Sequence, residues 1–306
     1  MIRKMFEQGI VLKKKYGADK VYDFSLGNPN VEPPDAFKKE LIQIAEEIMP
    51  FKHGYPPNAG IPGTRQAIAG RIGKTTGLHV TADHVIMSCG AGGALNVILK
   101  SLLDPGDEVV VPVPFFMEYT SYIDNYGGVI KRVKTRDDFS LDVDALADAV
   151  TAKTKAVIIN SPNNPTGRVY SGKEIADLSR LLSEKGVAFG TVIYLISDEP
   201  YAEIVFDGVT VPSVLKAYTN SIVACSYSKT LSLPGERIGY IAVNPDIADA
   251  GDLINALILC TRTLGFVNAP LLMQRIVARL QDVTVDVKVY QKKRDLLCDG
   301  LSQAGY

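Results

Sequence analysis

The segment SIVACSYSKTLSLPGERIGYIAV, residues 221–243, decides how the chain is read. It opens on an apolar run, SIVACS (221–226), and passes through Ser226-Tyr227-Ser228-Lys229. It then returns through Arg237 into a second run, RIGYIAV (237–243). Short β-branched runs bounded by Ser, Gly and Pro predict strands. Outward from this segment the pattern recurs in HVIMS (84–88), EVVVP (108–112), GVIKRV (128–133), AVIIN (156–160) and VIYLIS (192–197). Helical spacing fills the intervals at Gly92–Leu103, Asp142–Val150 and Ser171–Glu184. It appears again at Ala36–Ile48, Leu253–Arg262 and Ala269–Leu280. Strands alternating with helices predict an α/β fold, a mostly parallel sheet sandwiched by helices. The stretch Val283, Val285, Val287, Val289 alternates with period two, which locally favours a strand. Its continuation, KVYQKKRDLLCDGL, has helix formers and places Leu297 and Leu301 four apart, so a helix is expected throughout.

The 306 residues are 46% hydrophobic and 22% charged, which excludes disorder, and the length suits one large α/β domain or two domains. A net charge of -1 offers no basic excess for nucleic acid or an anionic membrane surface. No apolar run approaches the roughly 20 residues of a membrane span. The N-terminal MIRKMFEQGIVLKKKYG has no continuous apolar segment of the kind that directs secretion. Cys89, Cys225, Cys260 and Cys298 are scattered, as reduced thiols of a cytoplasmic protein are. His53, His79 and His84 lack ligand spacing, so no metal site is expected.

Lys229 alone would be an ordinary solvated charge. Ser-x-x-Lys also occurs in acyl-serine enzymes, but their other motifs are only approximated here, by Ser197-Asp198-Glu199 and Lys74-Thr75-Thr76-Gly77. Its company is more telling. Arg237 follows eight residues on. Asp198 ends one predicted strand, with Tyr201 three later, and Asn164 sits in SPNNPTG after another. The turn Gly90-Ala91-Gly92-Gly93 follows VIMS and opens a helix. In a parallel α/β sheet the strand C-termini share one edge, where ligands bind, so these segments can converge. Together they offer an amine, a phosphate-binding turn, an arginine, a carboxylate, a phenol and an amide. Each has a plainer reading in isolation. Asp198 could cap a helix, Asn164 could be a turn residue, and Tyr201 and Phe116 could be core. GAGGA with Asp107 could be a degraded dinucleotide fingerprint, although that leaves Lys229, Asp198 and NNPTG unexplained.

Taken in order, SLGNPN (25–30), YPPNAGIPGTRQAI (55–68), the Gly turn, PFFMEY (114–119), NNPTG (163–167), SDEPYAEIVF (197–206) and SYSKTLSLPGERIGY (226–240) resemble the fold-type-I aminotransferases of class I/II, which use pyridoxal 5′-phosphate (PLP). The resemblance implies that Lys229 forms the Schiff base with the cofactor and then serves as the general base. It implies that Asp198 pairs with the pyridine N–H and keeps it protonated. Tyr201 and Asn164 correspond to partners of the phenolic oxygen. Gly90, Ala91, Gly92, Ser226 and Arg237 correspond to the phosphate cradle, with a helix N-terminus behind it. Phe116 matches the aromatic stacked on the ring. Gly27 and Asn164 match positions near the substrate carboxylate. Tyr55 matches a tyrosine that reaches the neighbouring subunit's cofactor, which implies a homodimer. Arg262, shortly before GFVNAP, could meet a substrate's side-chain carboxylate across such a dimer or make a surface salt bridge.

The implied reaction transfers an amino group from an L-amino acid to a 2-oxo acid through the pyridoxamine form of the cofactor. A C–S lyase using the same residues is the nearest alternative, and a non-catalytic PLP-binding domain is another. The family pattern also implies a large PLP domain over residues 26–282. Residues 1–25 and 283–306 then belong to an incomplete small domain, whose remainder would carry the arginine for the substrate α-carboxylate.

Overall fold

The computed structural model describes residues 2–24 and 27–306, without the side chains of Ile2, Arg3, Lys4 and Phe6. Ser25 and Leu26 of the SLGNPN segment lie outside the described residues. Two compact units are present, Met1–Glu32 and Pro33–Tyr306. The first contains helix α1 (Ile2–Tyr16) and a short 3-10 turn, with Lys13 paired to Asp23 at 3.1 Å.

The second unit is built on seven strands: β1 (Val85–Ser88), β2 (Glu108–Val113), β3 (Val129–Lys134), β4 (Thr154–Asn160), β5 (Tyr194–Asp198), β6 (Ser221–Ser226) and β7 (Gly239–Val243). Their order is β1-β7-β6-β5-β4-β2-β3. All seven fall where the sequence predicts strands. The sheet is parallel from β3 through β6, but β7 runs antiparallel to both β6 and β1. No long helix separates β6 from β7, so the chain turns back beside the strand it has just left; a parallel neighbour would need a long crossover.

The helices of this unit are α2 (Asp35–Glu46), α3 (Pro62–Thr76), α4 (Gly90–Leu102), α5 (Glu118–Asp124), α6 (Val143–Ala149), α7 (Gly172–Phe189), α8 (Val214–Ala217), α9 (Tyr227–Thr230), α10 (Ala250–Thr263), α11 (Leu271–Ala278) and α12 (Val287–Gln303). Ser171 caps α7 in a reciprocal capping box with Glu174, and Gly190 ends it in the left-handed conformation. The helix expected from residue 283 begins only at Val287. Asp286 caps it, and Val285 is buried and bonded through its N–H to the Thr230 carbonyl at 2.8 Å. The period-two valines therefore mark an extended approach to the helix.

Period-two alternation along each strand divides the core between the two faces of the sheet. Met87, Val110, Val157, Ile159, Leu195 and Val223 point to one face, where they join residues of α3, α6, α7 and α11. Ile86, Val109, Ile158, Ile196, Ile222 and Ile241 point to the other, against α4, α5 and α10. Because both faces are covered, polar groups at strand ends have one open direction, the strand edge. There Ser88, Gly239 and Ser226 lie in register, and Asp198 pairs with Asn160.

Asn160 stitches this edge. Its buried amide donates to the Asp198 carbonyl at 2.8 Å, and its Oδ1 accepts the Asn164 N–H at 2.6 Å. Asn160→Ala leaves two interior backbone groups without partners, at about 1–3 kcal/mol each. We expect the urea midpoint of unfolding to fall accordingly. An unchanged midpoint would mean that the edge finds other partners.

Candidate active site

Lys229 sits in the single turn α9, directly after β6. Its Nζ lies 5.9 Å from the centroid of the Tyr201 ring, and burial lowers its pKa, which favours the nucleophilic neutral amine. The turn is anchored from behind: the Thr230 carbonyl accepts from the Val285 N–H and the Thr284 hydroxyl.

Asp198 ends β5 and is 5% exposed. One oxygen, Oδ2, accepts the Tyr119 hydroxyl at 2.5 Å; the other, Oδ1, is buried with no partner. Burial raises the carboxyl's pKa to about 6, opposed by the Tyr119 bond. The adjacent Glu199 is pushed up to about 7 by burial, opposed by a Ser197 hydrogen bond and reinforced by the Asp198 charge. Tyr119 was not singled out in the sequence. It is 79 residues from Asp198, and only the fold of β2 and α5 joins them.

The amide of Asn164 approaches the Tyr201 hydroxyl at 3.5 Å. Burial and the Asp198 charge raise the phenol's pKa, and Asn164 opposes them. Phe116 meets Tyr119 edge to face, with ring centroids 5.6 Å apart. It thus packs on the tyrosine that holds the carboxylate. Next to Asn164 and Tyr201 a cavity of about 410 Å³ opens, lined also by Val169, Phe206 and Arg294. Another cavity, of about 420 Å³, adjoins the N-terminal end of β5 at Leu182, Ile193 and Tyr218, away from these groups.

The Gly turn lies beside the start of β7. Gly90 begins α4 with φ 72°, and the Arg237 guanidinium lies against it: a Cβ on Gly90 would stand 2.9 Å from Nη2. Arg237 itself adopts φ 52°, and its Nη1 donates to the Pro234 carbonyl at 2.9 Å. Gly239 is a further requirement that the sequence did not flag. A Cβ there would fall 2.4 Å from the Cys225 carbonyl and 3.0 Å from Gly90, so only glycine lets β7 and the turn meet this closely. Ser226 is buried beside them, at the end of β6. The structure therefore brings Gly90, Ala91, Gly92, Ser226 and Arg237 to one part of the edge, with Lys229, Asp198, Asn164, Tyr201 and Phe116 along the rest.

Tyr55 is 92% exposed in the single chain. Arg262 bonds the Asn58 side chain at 3.4 Å. Gly27 belongs to the Met1–Glu32 unit, in irregular backbone. Among the described residues no cluster of His, Cys, Asp and Glu could hold a metal ion, and no helix is long and apolar enough to cross a membrane.

Residues 19–306 match the family described as aminotransferase class I and II. The probable aspartate aminotransferase of Methanocaldococcus jannaschii is 31% identical over 287 residues, covering 91% of this chain and 73% of the relative. The aspartate/prephenate aminotransferase of Thermus thermophilus is 29% identical over 296 residues, 95% and 74% of the two chains. Among solved structures, an amino transferase from Eubacterium rectale superposes with a TM-score of 0.97 at 41% identity, over 100% of this chain and 77% of that one. The Thermus thermophilus aspartate aminotransferase with maleate gives a TM-score of 0.84 at 27% identity, over 99% and 78%. The chain belongs to the class I and II aminotransferases, the PLP-dependent transaminases of fold type I.

Proposed function

We propose that this transaminase holds PLP at the strand edge, with Lys229 as its covalent anchor and Asp198 as the partner of the ring nitrogen. The observation that carries the reading is the unpartnered buried Oδ1 of Asp198. A buried carboxylate oxygen demands a donor. A protonated pyridine is such a donor, and it also neutralises the charge. The remaining groups fit the same molecule: Arg237, Ser226 and the first N–H groups of α4 for a phosphate, and Tyr201 and Asn164 for a phenolic oxygen.

When bound, PLP supplies an aldehyde for covalent attachment of amines and a cationic ring that takes up electrons from Cα. The protein does the rest. With PLP bound, Nζ of Lys229 would hold the cofactor covalently and, once free of that link, would serve as the base that takes up and gives back the Cα proton. Its lowered pKa keeps a fraction of the amine neutral for that task. Asp198 holds the ring nitrogen proton by charge, and Tyr119 fixes the carboxylate's orientation through Oδ2. Tyr201 and Asn164 stabilise the phenolate by hydrogen bonding.

The substrates are an amino acid and a 2-oxo acid. Relatives named for aspartate make dicarboxylic amino acids the first donors to assay. We further infer a homodimer in which the exposed Tyr55 reaches the partner's site, and a cytoplasmic setting suited to the four scattered cysteines.

Lys229→Ala should abolish the borohydride-reducible bond between PLP and protein while retaining part of the non-covalent binding. A surviving reducible link would assign the anchor to another lysine. Asp198→Asn should separate stability from function. The raised folded-state pKa means that the native chain binds more protons than the unfolded one between about pH 4 and 6. Without cofactor, stability therefore falls as pH rises through that window, by on the order of 3 kcal/mol. The amide removes this loss, so the PLP-free variant should be the more stable protein at pH 8. Its amino-acid half-reaction should slow by orders of magnitude, because an amide cannot hold the ring proton by charge. A half-reaction near the unmodified rate would exclude Asp198 as the ring partner. Tyr55→Phe should weaken PLP binding in the dimer, and mixing it with a Lys229→Ala chain should give hybrid dimers with one intact site. A monomer binding PLP as tightly as the dimer would contradict the shared arrangement.

A further inference from the structure

We propose that the Tyr122 hydroxyl donates a hydrogen bond to the cofactor phosphate, closing the side of the turn that Gly92 leaves open. The proposal rests on the reading of the α4 turn as the phosphate site.

Gly92 lies in the first turn of α4, and a Cβ built on it would stand 3.1 Å from the Tyr122 hydroxyl. The absence of a side chain at position 92 thus admits a phenol from α5 to the space over the turn. Its position is set by register. One turn beyond, the Tyr126 hydroxyl donates to Asn96 Oδ1 at 2.9 Å, and Asn96 Nδ2 donates to the Gly92 carbonyl at 2.8 Å. Residues four apart on one segment face residues four apart on the other, so both tyrosines lie along one face of α4. The Tyr122 ring packs against the α4 side of the core.

The hydroxyl stands in the fields of both ends of the site. Burial raises its pKa, the carboxylates of Glu118 and Asp198 add to this, and Arg237 opposes them. It therefore keeps its proton at neutral pH and acts as a donor. Among the described residues no protein atom takes that proton. Glu118, four residues earlier, has a buried oxygen without a partner and still makes no bond with it. A phosphate bound by the α4 N–H groups, Ser226 and Arg237 presents oxygens enough to accept one more donor, and a phenol-to-anion bond is of the strong, charge-assisted kind.

The test compares PLP with pyridoxal, which lacks the phosphate, by absorbance titration of the full chain. Tyr122→Phe preserves the ring and its packing. Its PLP dissociation constant should rise about tenfold, the effect of losing one hydrogen bond to a charged group. Its pyridoxal affinity should be unchanged. No loss for PLP, or an equal loss for both, overturns the proposal. Arg237→Met serves as the reference arm. If it too leaves the PLP-to-pyridoxal ratio unchanged, the phosphate lies elsewhere and the reading of the turn fails with it. If only Tyr122→Phe leaves the ratio unchanged, the turn stands and Tyr122 is excluded.

Discussion

A carboxylate buried at the end of a central strand is the constraint on which the rest of this site depends. Removing Asp198 from water is unfavourable for its charged form, and one hydrogen bond from Tyr119 does not offset the loss. A protein under no functional demand would place a neutral residue there. Retaining the acid makes sense if a cationic donor completes the shell around its unpartnered oxygen. The same low-polarity surroundings lower the Lys229 pKa. Burial thus shifts the acid and the amine in opposite directions, each toward its neutral form.

The sheet assembles these groups through a change of strand direction. In an entirely parallel sheet, Arg237 and the Gly turn would depend on crossovers to reach the edge. Here β7 runs backward, so its first residue, Gly239, faces both Ser226 and Ser88. Arg237, two residues before it, meets the turn that follows Ser88. This compact geometry tolerates no side chain at Gly239, where a Cβ would run into the Cys225 carbonyl and into Gly90.

Residues whose chemistry is local were legible in the sequence. Lys229, Arg237, Asp198, Asn164 and the Gly turn each follow or precede a β-branched run, and strand ends converge in an α/β sheet whatever the details of packing. The strands were legible for the same reason. Tyr119, Asn160 and Tyr122 were not. Each meets a neighbour supplied by another element, and a tyrosine on a short helix or an asparagine ending a strand reads as core or turn until that neighbour is in place. The reversal of β7 escaped because β-branched runs carry no sign of direction. The alternating valines from 283 carried two patterns at once; the extended one holds up to Val285, where the backbone bonds Thr230, and the helical one takes over at Val287.

Tyr201 raises a different problem, because the segment after β5 has little regular structure to hold a phenol in place. Two arginines from distant helices constrain it. Glu203 pairs with Arg71 of α3, both half-buried. Asp207 accepts a two-pronged contact from Arg294 of α12 at 2.8 and 3.1 Å, and that guanidinium also lies 5.1 Å from the Phe206 ring centroid. Exposed single pairs contribute little to stability, but a bidentate arginine stacked on an aromatic fixes direction as well as distance. With Glu199 bonded through its N–H to the Ala224 carbonyl, the segment is held at its start, middle and end. Tyr201 lies between the first two anchors. Its hydroxyl can then meet Asn164 without the chain having to order a loop each time a substrate binds, and the entropy of that ordering is settled on folding.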